Sequence, residues 1–245
     1  MEDLCDLLFE FSSTERMKIL KSLLEERLKL SQVSKNLDIT VTEASRHLQR
    51  LSDMELIDKD VGGAFGPTSY GRVAVRLLKG LDFISQNRQY VQEHDIMCLP
   101  DELISRINEI SLAKLNADVV RVLAHVDMMF QEAEEYIWVM SYAHSLPSTI
   151  PIVEERLEKG VILQRIFPEE IIPPTGEAET ISGPCRTLPK VDIRIMMTEK
   201  EAMCSLPTMD GRVDYASFIG KDPKFHKWCT DLYLHYWEKA KPAVV

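Results

Sequence analysis

The hydrophobic pattern of the first seventy residues predicts a run of helices followed by a hairpin. Apolar side chains recur at helical spacing after residue 14, over 30–37 and over 40–54, where Ala44, Leu48 and Leu51 share one face. "MELIDKD" then suits a strand, and "GGAFGPTSYG" has the glycines and proline of a tight turn before a return strand. The predicted order is helix, helix, turn, helix, strand, glycine turn, strand.

Polar residues mark the expected starts of these helices. Ser12 with Glu15, and Thr40 with Glu43, have the capping-box spacing of a hydroxyl residue followed three residues later by glutamate. Ser31 is expected to cap the short helix between them.

The helix over 40–54 carries short polar and long basic side chains opposite its apolar face. Such groups hydrogen-bond base edges and phosphates in a major groove. Glu43 could accept from a cytosine amino group, but completion of the helix cap is the favoured interpretation. The predicted DNA-contact residues are Ser31, Thr40, Thr42, Glu43, Ser45, Arg46, Gln49, Arg50, Lys59, Gly62 and Gly63.

The segment "LSQVSKNLDITVTEASRHLQRLSDMELI" resembles the helix-turn-helix of ArsR- and MarR-like transcription regulators. In these, Leu-x-x-Leu followed by Leu-Ile ends the recognition helix and enters the wing, and Leu48, Leu51, Leu56 and Ile57 fit that pattern. The resemblance implies a winged helix-turn-helix over 1–70 that binds double-stranded DNA. The alternative is an interaction scaffold that docks the winged helix onto the transcription machinery.

Residues 69–94 have the pattern of one long helix with an apolar stripe, formed by Val73, Leu77, Leu81 and Ile84. In ArsR-like regulators the helix after the wing commonly forms the dimer, so the resemblance implies a homodimer. The alternative is that this helix packs on its own domain. We assign 71–116 to a helical linker and dimerisation region.

The pattern changes after residue 117. A helix, a strand over 136–141, a helix and a strand over 161–167 form a βαβ unit, which requires a parallel pair with a right-handed crossover. Further strands and a closing aromatic helix follow. The fold class expected for the chain is α+β multidomain: winged helix-turn-helix, helical linker, and a C-terminal α/β domain over 117–245.

"EEYIWVMS", "LEKGVILQRIF", "MDGRVDYASFIGKDP" and "FHKWCTDLYLHYW" resemble the C-terminal domain of archaeal winged-helix regulators of the methanogenesis-regulator type. The resemblance implies a phospholipase D-like fold. Phospholipase D chemistry needs His-x-Lys-x-x-x-x-Asp. With Asp210 at the aspartate position, Met203 and Ser205 stand at the histidine and lysine positions, and neither can do that chemistry. We therefore expect no catalytic residues, and a hydrolase is the least favoured alternative.

A binding pocket is expected beyond the carboxyl ends of the parallel strands, for a small-molecule effector or a protein partner. Arg165 and Arg194 lie mid-strand, where a charged side chain faces either solvent or a site. The predicted ligand-binding residues are Ser141, Tyr142, His144, Arg165, Met203 and Ser205.

Charge is unevenly distributed along the chain. It has 29 Lys+Arg and 39 Asp+Glu, a formal net charge of −10, yet residues 1–80 hold 12 and 13 of these. The first third is therefore nearly neutral, and a local basic face remains possible there.

The five cysteines are scattered and form no metal-ligand motif, so we expect reduced thiols in the cytoplasm and neither metal nor cofactor. A redox switch between Cys204 and Cys229 is a less favoured alternative. The acidic N-terminus is unlike a secretory signal, and no apolar run is long enough for a bilayer. The sequence as a whole predicts a homodimeric DNA-binding regulator modulated through its C-terminal domain.

Overall fold

The structure is a computed structural model that describes residues 2–143, 147–171, 183–211 and 214–243. It divides into two compact units, Met1–Lys79 and Gly80–Val245. None of the helices in these described ranges has the length and apolar content needed to cross a membrane.

The N-terminal unit is a helical bundle with a small sheet. Its elements in chain order are α1 (Glu2–Phe11), α2 (Thr14–Glu25), β1 (Leu28–Lys29), α3 (Leu30–Leu37), α4 (Val41–Asp53), β2 (Ile57–Lys59), β3 (Ala64–Pro67) and the first part of α5 (Ser69–Gln86). The strands form an antiparallel sheet in the order β1-β3-β2. This arrangement confirms the predicted winged helix-turn-helix.

Local capping explains where the helices begin. The capping box of α4 is present as predicted, because the Thr40 side chain accepts from the Glu43 N–H and Glu43 accepts from the Thr40 N–H. Two predicted caps are wrong. The cap of α2 is Ser13 instead of Ser12, and Ser31 lies inside α3, because β1 runs directly into that helix.

The core of the N-terminal unit forms where α2, α3 and α4 meet the sheet. Ile19, Leu20, Leu48 and Leu51 are buried there, as the helical spacing predicted. The start of α5 packs against the residue that precedes β2: a Cβ added at Gly71 would lie 2.0 Å from the Leu56 carbonyl oxygen. Only glycine fits this contact without movement of the backbone.

The C-terminal unit is built around a mixed sheet. After α5 its elements are α6 (Arg88–Glu93), α7 (Asp101–Ile104), β4 (Lys114–Asn116), α8 (Val119–Gln131), β5 (Tyr136–Met140), α9 (Thr149–Glu158), β6 (Ile162–Pro168), β7 (Cys185–Leu188), β8 (Arg194–Thr198), β9 (Ala202–Ser205), β10 (Ser217–Gly220), α10 (Pro223–Lys239) and β11 (Lys241–Pro242). Short 3-10 turns cover Ile96–Cys98, Ile107–Leu112 and Glu169–Ile171.

The sheet order is β11-β7-β6-β5-β8-β9-β10-β4. Strands β5 and β6 are parallel, which confirms the predicted βαβ unit, and β7 continues the parallel part beside β6. The remaining pairs are antiparallel. The predicted C-terminal α/β domain is therefore present, although the sequence pattern did not reveal β4, β7 or β11.

Each face of this sheet covers its own hydrophobic core. On one face Ile195 and Met197 of β8 pack with α10, whose Trp228 and Tyr233 are fully buried. On the other face Met196 packs with α8 and α9. Because side chains alternate along a strand, Arg194 points to the same face as Met196.

Part of the region predicted as a linker, 71–116, belongs to the core of the C-terminal unit and is not a separate connection. The helix expected over 69–94 ends at Gln86, and α6 follows after Asn87. Further along, Leu99, Leu103, Ile107 and Ile110 are buried with α10 in the C-terminal core. The predicted boundaries at 70 and 116 thus differ from those of the compact units.

Candidate nucleic-acid interface and C-terminal cavity

One face of α4 is exposed and polar. Ala44, Leu48 and Leu51 point into the core, so the side chains between them point outward. The exposed set is Thr42, Glu43, Ser45, Arg46, Gln49 and Arg50. Ser31 is also exposed, near the start of the neighbouring helix α3.

The two arginines of this face are in different situations. Arg46 is exposed and takes part in no ion pair within the described ranges. Arg50 is paired with Glu10 at the end of α1, and its guanidinium lies 5.2 Å from the centre of the Phe9 ring. Of the two, Arg46 is the cation that faces solvent with no ion-pair partner in the described part of the chain.

Glu10 connects three helices. Its carboxylate lies 2.9 Å from Arg16 Nε of α2 and also accepts from Arg50 of α4, while its side chain is only 5% exposed. The hydrogen bond from Arg50 lowers the pKa of Glu10, with a further contribution from Arg16, although burial acts in the opposite direction. This pairing spans forty residues and was not evident from the sequence.

Two other polar residues of α4 are held by local hydrogen bonds. Glu43 accepts from Thr40 in the capping box, and these bonds lower its pKa. Gln49 donates to Asp53 at 2.6 Å, one turn later on the same helix. The capping role predicted for Glu43 is therefore present in the structure.

The wing is a β-hairpin whose turn contains Gly62 and Gly63. Asp60 closes the turn, since its side chain accepts from the Ala64 N–H at 2.9 Å, and Gly63 adopts φ +81°. Lys59 is exposed on β2, with its Nζ 5.3 Å from the centre of the Phe65 ring. At the tip of the wing Val61 and Gly62 are exposed.

Arg27 anchors the wing and was missed by the sequence analysis. It pairs with Asp58 at 2.6 Å and with Asp60 at 3.1 Å, which raises the pKa of Arg27. Its side chain crosses Gly66, where an added Cβ would come within 2.7 Å of the guanidinium. Arg27 therefore offsets acidic charge in the wing.

The C-terminal unit contains a small cavity between the sheet and α8. Its volume is about 50 Å³, and its lining includes Ser141, Thr149, Phe167, Arg194 and Tyr215. Leu123, Val126 and Phe130 of α8 provide the apolar wall. The cavity lies near the ends of β5 and β6, the region where the sequence analysis expected a pocket.

The predicted ligand residues differ in their access to this cavity. Ser141 lines it, whereas Met203 is buried in the core below. Arg165 is buried on β6 and points to the same sheet face as Phe167. The Tyr142 hydroxyl donates to the Asp214 carbonyl, and burial raises the pKa of Tyr142. His144 lies outside the described residues.

Ser205 contributes to the cavity indirectly. Its hydroxyl lies 2.6 Å from that of Ser217, which donates to the Tyr215 carbonyl at 2.7 Å. The Ser217 oxygen also accepts from Arg194 Nη2 at 3.3 Å. Ser205 therefore helps to position Arg194, which was predicted to lie mid-strand but was not among the predicted ligand-binding residues.

The sequence of residues 13–59 matches the family described as "Bacterial regulatory protein, arsR family". These residues form an ArsR-family helix-turn-helix. The match covers α2 to β2, including the exposed face of α4, and confirms the resemblance inferred from the sequence. It supports a DNA-binding transcriptional regulator of the ArsR type.

Three solved structures share parts of the architecture with this chain. The archaeal chromatin protein TrmBL2 is 14% identical with a TM-score of 0.46, covering 94% of this chain and 92% of TrmBL2. Nuc, a phospholipase D family member from Salmonella typhimurium, is 17% identical with a TM-score of 0.37, covering 51% and 89%. Reduced HlyU from Vibrio cholerae is 23% identical with a TM-score of 0.28, covering 37% and 92%.

These likenesses are distant, and with TM-scores below 0.5 they establish neither the function nor the mechanism of this chain. No curated protein matches the sequence. No group of three or more potential metal ligands occurs among the residues that the structure describes.

Proposed function

We propose that the chain is a homodimeric transcription regulator that binds a pseudo-palindromic operator through α4. The observation that carries the proposal is the exposed polar face of α4 within an ArsR-family helix-turn-helix. In helix-turn-helix proteins the second helix of the motif lies in the major groove and its outward side chains contact base edges. Thr42, Ser45, Arg46 and Gln49 are the outward side chains proposed to do so here, and Lys59 is proposed to contact phosphate.

Exposed apolar side chains support the homodimer. On α5, Val73, Leu77 and Leu81 recur every four residues and are 57%, 73% and 53% exposed. Leu4 and Leu8 of α1 are 55% and 41% exposed. Contiguous exposed apolar side chains mark interaction surfaces, and a second copy of the chain offers the same helices in self-complementary form.

The distribution of charge supports specific over non-specific binding. With residues 1–80 at a net charge of −1, the rest of the chain carries −9. Non-specific affinity for DNA depends on neutralising phosphates, and an acidic C-terminal unit opposes it. Base contacts from α4 would then carry a larger share of the affinity.

We propose that the C-terminal unit regulates instead of catalysing. With Asp210 placed at the aspartate of the phospholipase D pattern, Met203 and Ser205 fall at its histidine and lysine positions. Met203 is buried in the core, and Ser205 is hydrogen-bonded to Ser217. The unit would act by binding a small-molecule effector or a protein partner better in one arrangement of the dimer than in the other.

Hydroxyl-radical footprinting of the full chain on the DNA upstream of its gene tests this proposal. The expected result is two protected blocks whose centres lie one helical turn apart, about 34 Å, or a multiple of it. Uniform protection along the fragment, or none at low salt, would contradict sequence-specific binding by a dimer.

A further inference from the structure

Arg194 is a buried cation with no ion-pair partner among the residues that the structure describes. Its side chain is 2% exposed, at the start of β8, and no carboxylate of the described ranges forms an ion pair with it. Its one hydrogen bond within those ranges goes to Ser217, and its Nε is buried without a partner. A guanidinium has five N–H donors, so most of its donor capacity is unused.

The groups around Arg194 leave N–H donors of its guanidinium available for hydrogen bonds to a ligand. The Tyr215 ring lies against the guanidinium at 4.7 Å and covers one side of it. Burial lowers the pKa of Arg194, but an arginine remains protonated at any physiological pH. Burying an unpaired charge costs stability, and groups kept in that condition beside a cavity are frequent at functional sites.

The nearby acidic groups are engaged elsewhere. Asp127 accepts from the Thr149 hydroxyl at 2.7 Å. Asp214 accepts from the Ala216 N–H at 2.8 Å and contacts His94 Nε2 at 2.9 Å. Asp214 acts on Arg194 only through its charge, and neither carboxylate forms an ion pair with the guanidinium in the described ranges, so an anion in the cavity would be its first direct anionic partner.

Size and polarity restrict the occupant. A volume of about 50 Å³ accommodates roughly three to five water-sized groups, at about 10–15 Å³ each. A carboxylate, phosphate or sulfate group is of this size, and a guanidinium binds each with paired hydrogen bonds. The Ser141 hydroxyl lines the same cavity, accepts from the Ala143 N–H at 3.1 Å and keeps its own proton to donate.

We propose that Arg194 and Ser141 bind the oxyanion group of a small anionic ligand in this cavity. The ligand is either a free inorganic oxyanion or a carboxylate group of similar size. The proposal rests on the proposed function only in treating the C-terminal unit as the regulatory part, because the site itself is defined without DNA.

Titration calorimetry of the full chain without DNA tests the proposal. Phosphate, sulfate and acetate would each be added up to 50 mM, on the order of a weak effector concentration, at constant ionic strength set with sodium chloride. Saturable binding of one anion per chain is expected. Binding of acetate alone would assign the site to a carboxylate, and binding of phosphate or sulfate would assign it to an inorganic oxyanion.

Arg194→Met is the decisive variant, and Arg121→Met is its control. Arg121 is exposed on α8 and pairs with Asp118, so its loss removes the same charge from the same unit. Affinity is expected to fall at least tenfold in Arg194→Met, as for loss of a charged hydrogen bond, and to stay within about twofold in the control. The ligand-free Arg194→Met protein is expected to melt at or above the wild-type temperature.

Two results would overturn the proposal: no saturable binding of any of the three anions by the folded wild type, or unchanged affinity in Arg194→Met. If that variant does not fold, Arg194→Lys replaces it, since lysine keeps the charge but not the forked donors. Weaker binding is then expected, and unchanged affinity would overturn the assignment. Because the calorimetry contains no DNA, these results would overturn only the anion site and would leave the proposed operator binding unaffected.

Discussion

Replacement of Glu10 by glutamine is expected to weaken the N-terminal unit, because Glu10 joins α1 to two other helices. Its carboxylate contacts Arg16 of α2 and Arg50 of α4. Glutamine has nearly the same shape, so the change removes the negative charge and one acceptor without creating a cavity. Arg16, whose side chain is 8% exposed, would lose its carboxylate partner.

The size of the effect follows from the burial of the Glu10–Arg16 pair. Removal of one partner from a buried ion pair costs about 3–5 kcal/mol. Arg16 would keep its hydrogen bonds to the carbonyls of Phe9 and Glu10, both at 2.8 Å, which places the expected loss near the lower end, about 3 kcal/mol. The Arg50 side chain is 43% exposed, so solvent screening leaves little to add from that pair.

Amide hydrogen exchange in α2 and α4 measures this loss directly, because the exchange of core amides reports the free energy of opening. A loss of 3 kcal/mol corresponds to roughly 150-fold faster exchange. Glu15→Gln is the matched control, since the Glu15 side chain is 44% exposed and lies 4.0 Å from Lys18, and it should change exchange by less than about twofold. Equal exchange rates in the two variants would refute the structural role of Glu10.

The loss of stability caused by Glu10→Gln should become smaller as the pH falls. The hydrogen bond from Arg50 and the charge of Arg16 lower the pKa of Glu10 from its ordinary value of 4.5. A carboxyl group with a lowered pKa stabilises the folded state above its unfolded pKa and loses that contribution as the pH falls. The difference between wild type and Glu10→Gln should therefore be complete at pH 6–7 and decrease below about pH 4.5.

Further predictions concern a close backbone contact and the thiols. Gly71→Ala should lower the free energy of unfolding by about 2 kcal/mol or more, because its Cβ would lie 2.0 Å from the Leu56 carbonyl oxygen. Gly80→Ala in the same helix meets only ordinary contacts and should leave the stability unchanged or raise it. Urea denaturation of both variants measures the difference. Iodoacetamide should label exposed Cys5 in the native protein but not Cys204 or Cys229, because both are buried. Burial and contact with Cys204 also raise the pKa of Cys229, which keeps its thiol protonated. Peptide mass spectrometry measures the labelling, and labelling of the buried pair in the native protein would contradict this burial.

Local and periodic signals in the sequence predicted most of the fold. The capping box of Thr40 and Glu43 acts within one turn, and the apolar spacing of α4 needs only the helical period. The parallel pair β5–β6 followed from the strand–helix–strand order. By contrast, β7 and β11 are two to four residues long, too short to show a strand pattern, and they pair with segments far away in the chain.

Among the candidate site residues, too, local periodicity predicts some positions, while others depend on contacts between distant parts of the chain. The exposed side of α4 follows from its buried side, so the outward position of Arg46 could be predicted. The pairing of Arg50 with Glu10 could not, because it joins residues forty positions apart through the packing of α1. Strand periodicity also leaves open which face of a sheet is covered, and only the structure shows that Arg194 is buried beside a cavity.

The central claim is that α4 of this acidic chain binds DNA through its exposed face. Fluorescence anisotropy tests it most directly: the wild-type chain, Arg46→Ala and Lys21→Ala are each titrated onto the upstream DNA and onto a scrambled duplex at several salt concentrations. Lys21 is an exposed charge on α2 outside the predicted contact set and serves as the control. We expect Arg46→Ala to lose about 1–3 kcal/mol of binding on the upstream DNA, and Lys21→Ala to bind like the wild type. Equal affinity of all three proteins for both duplexes would contradict the account and favour a winged helix that docks proteins.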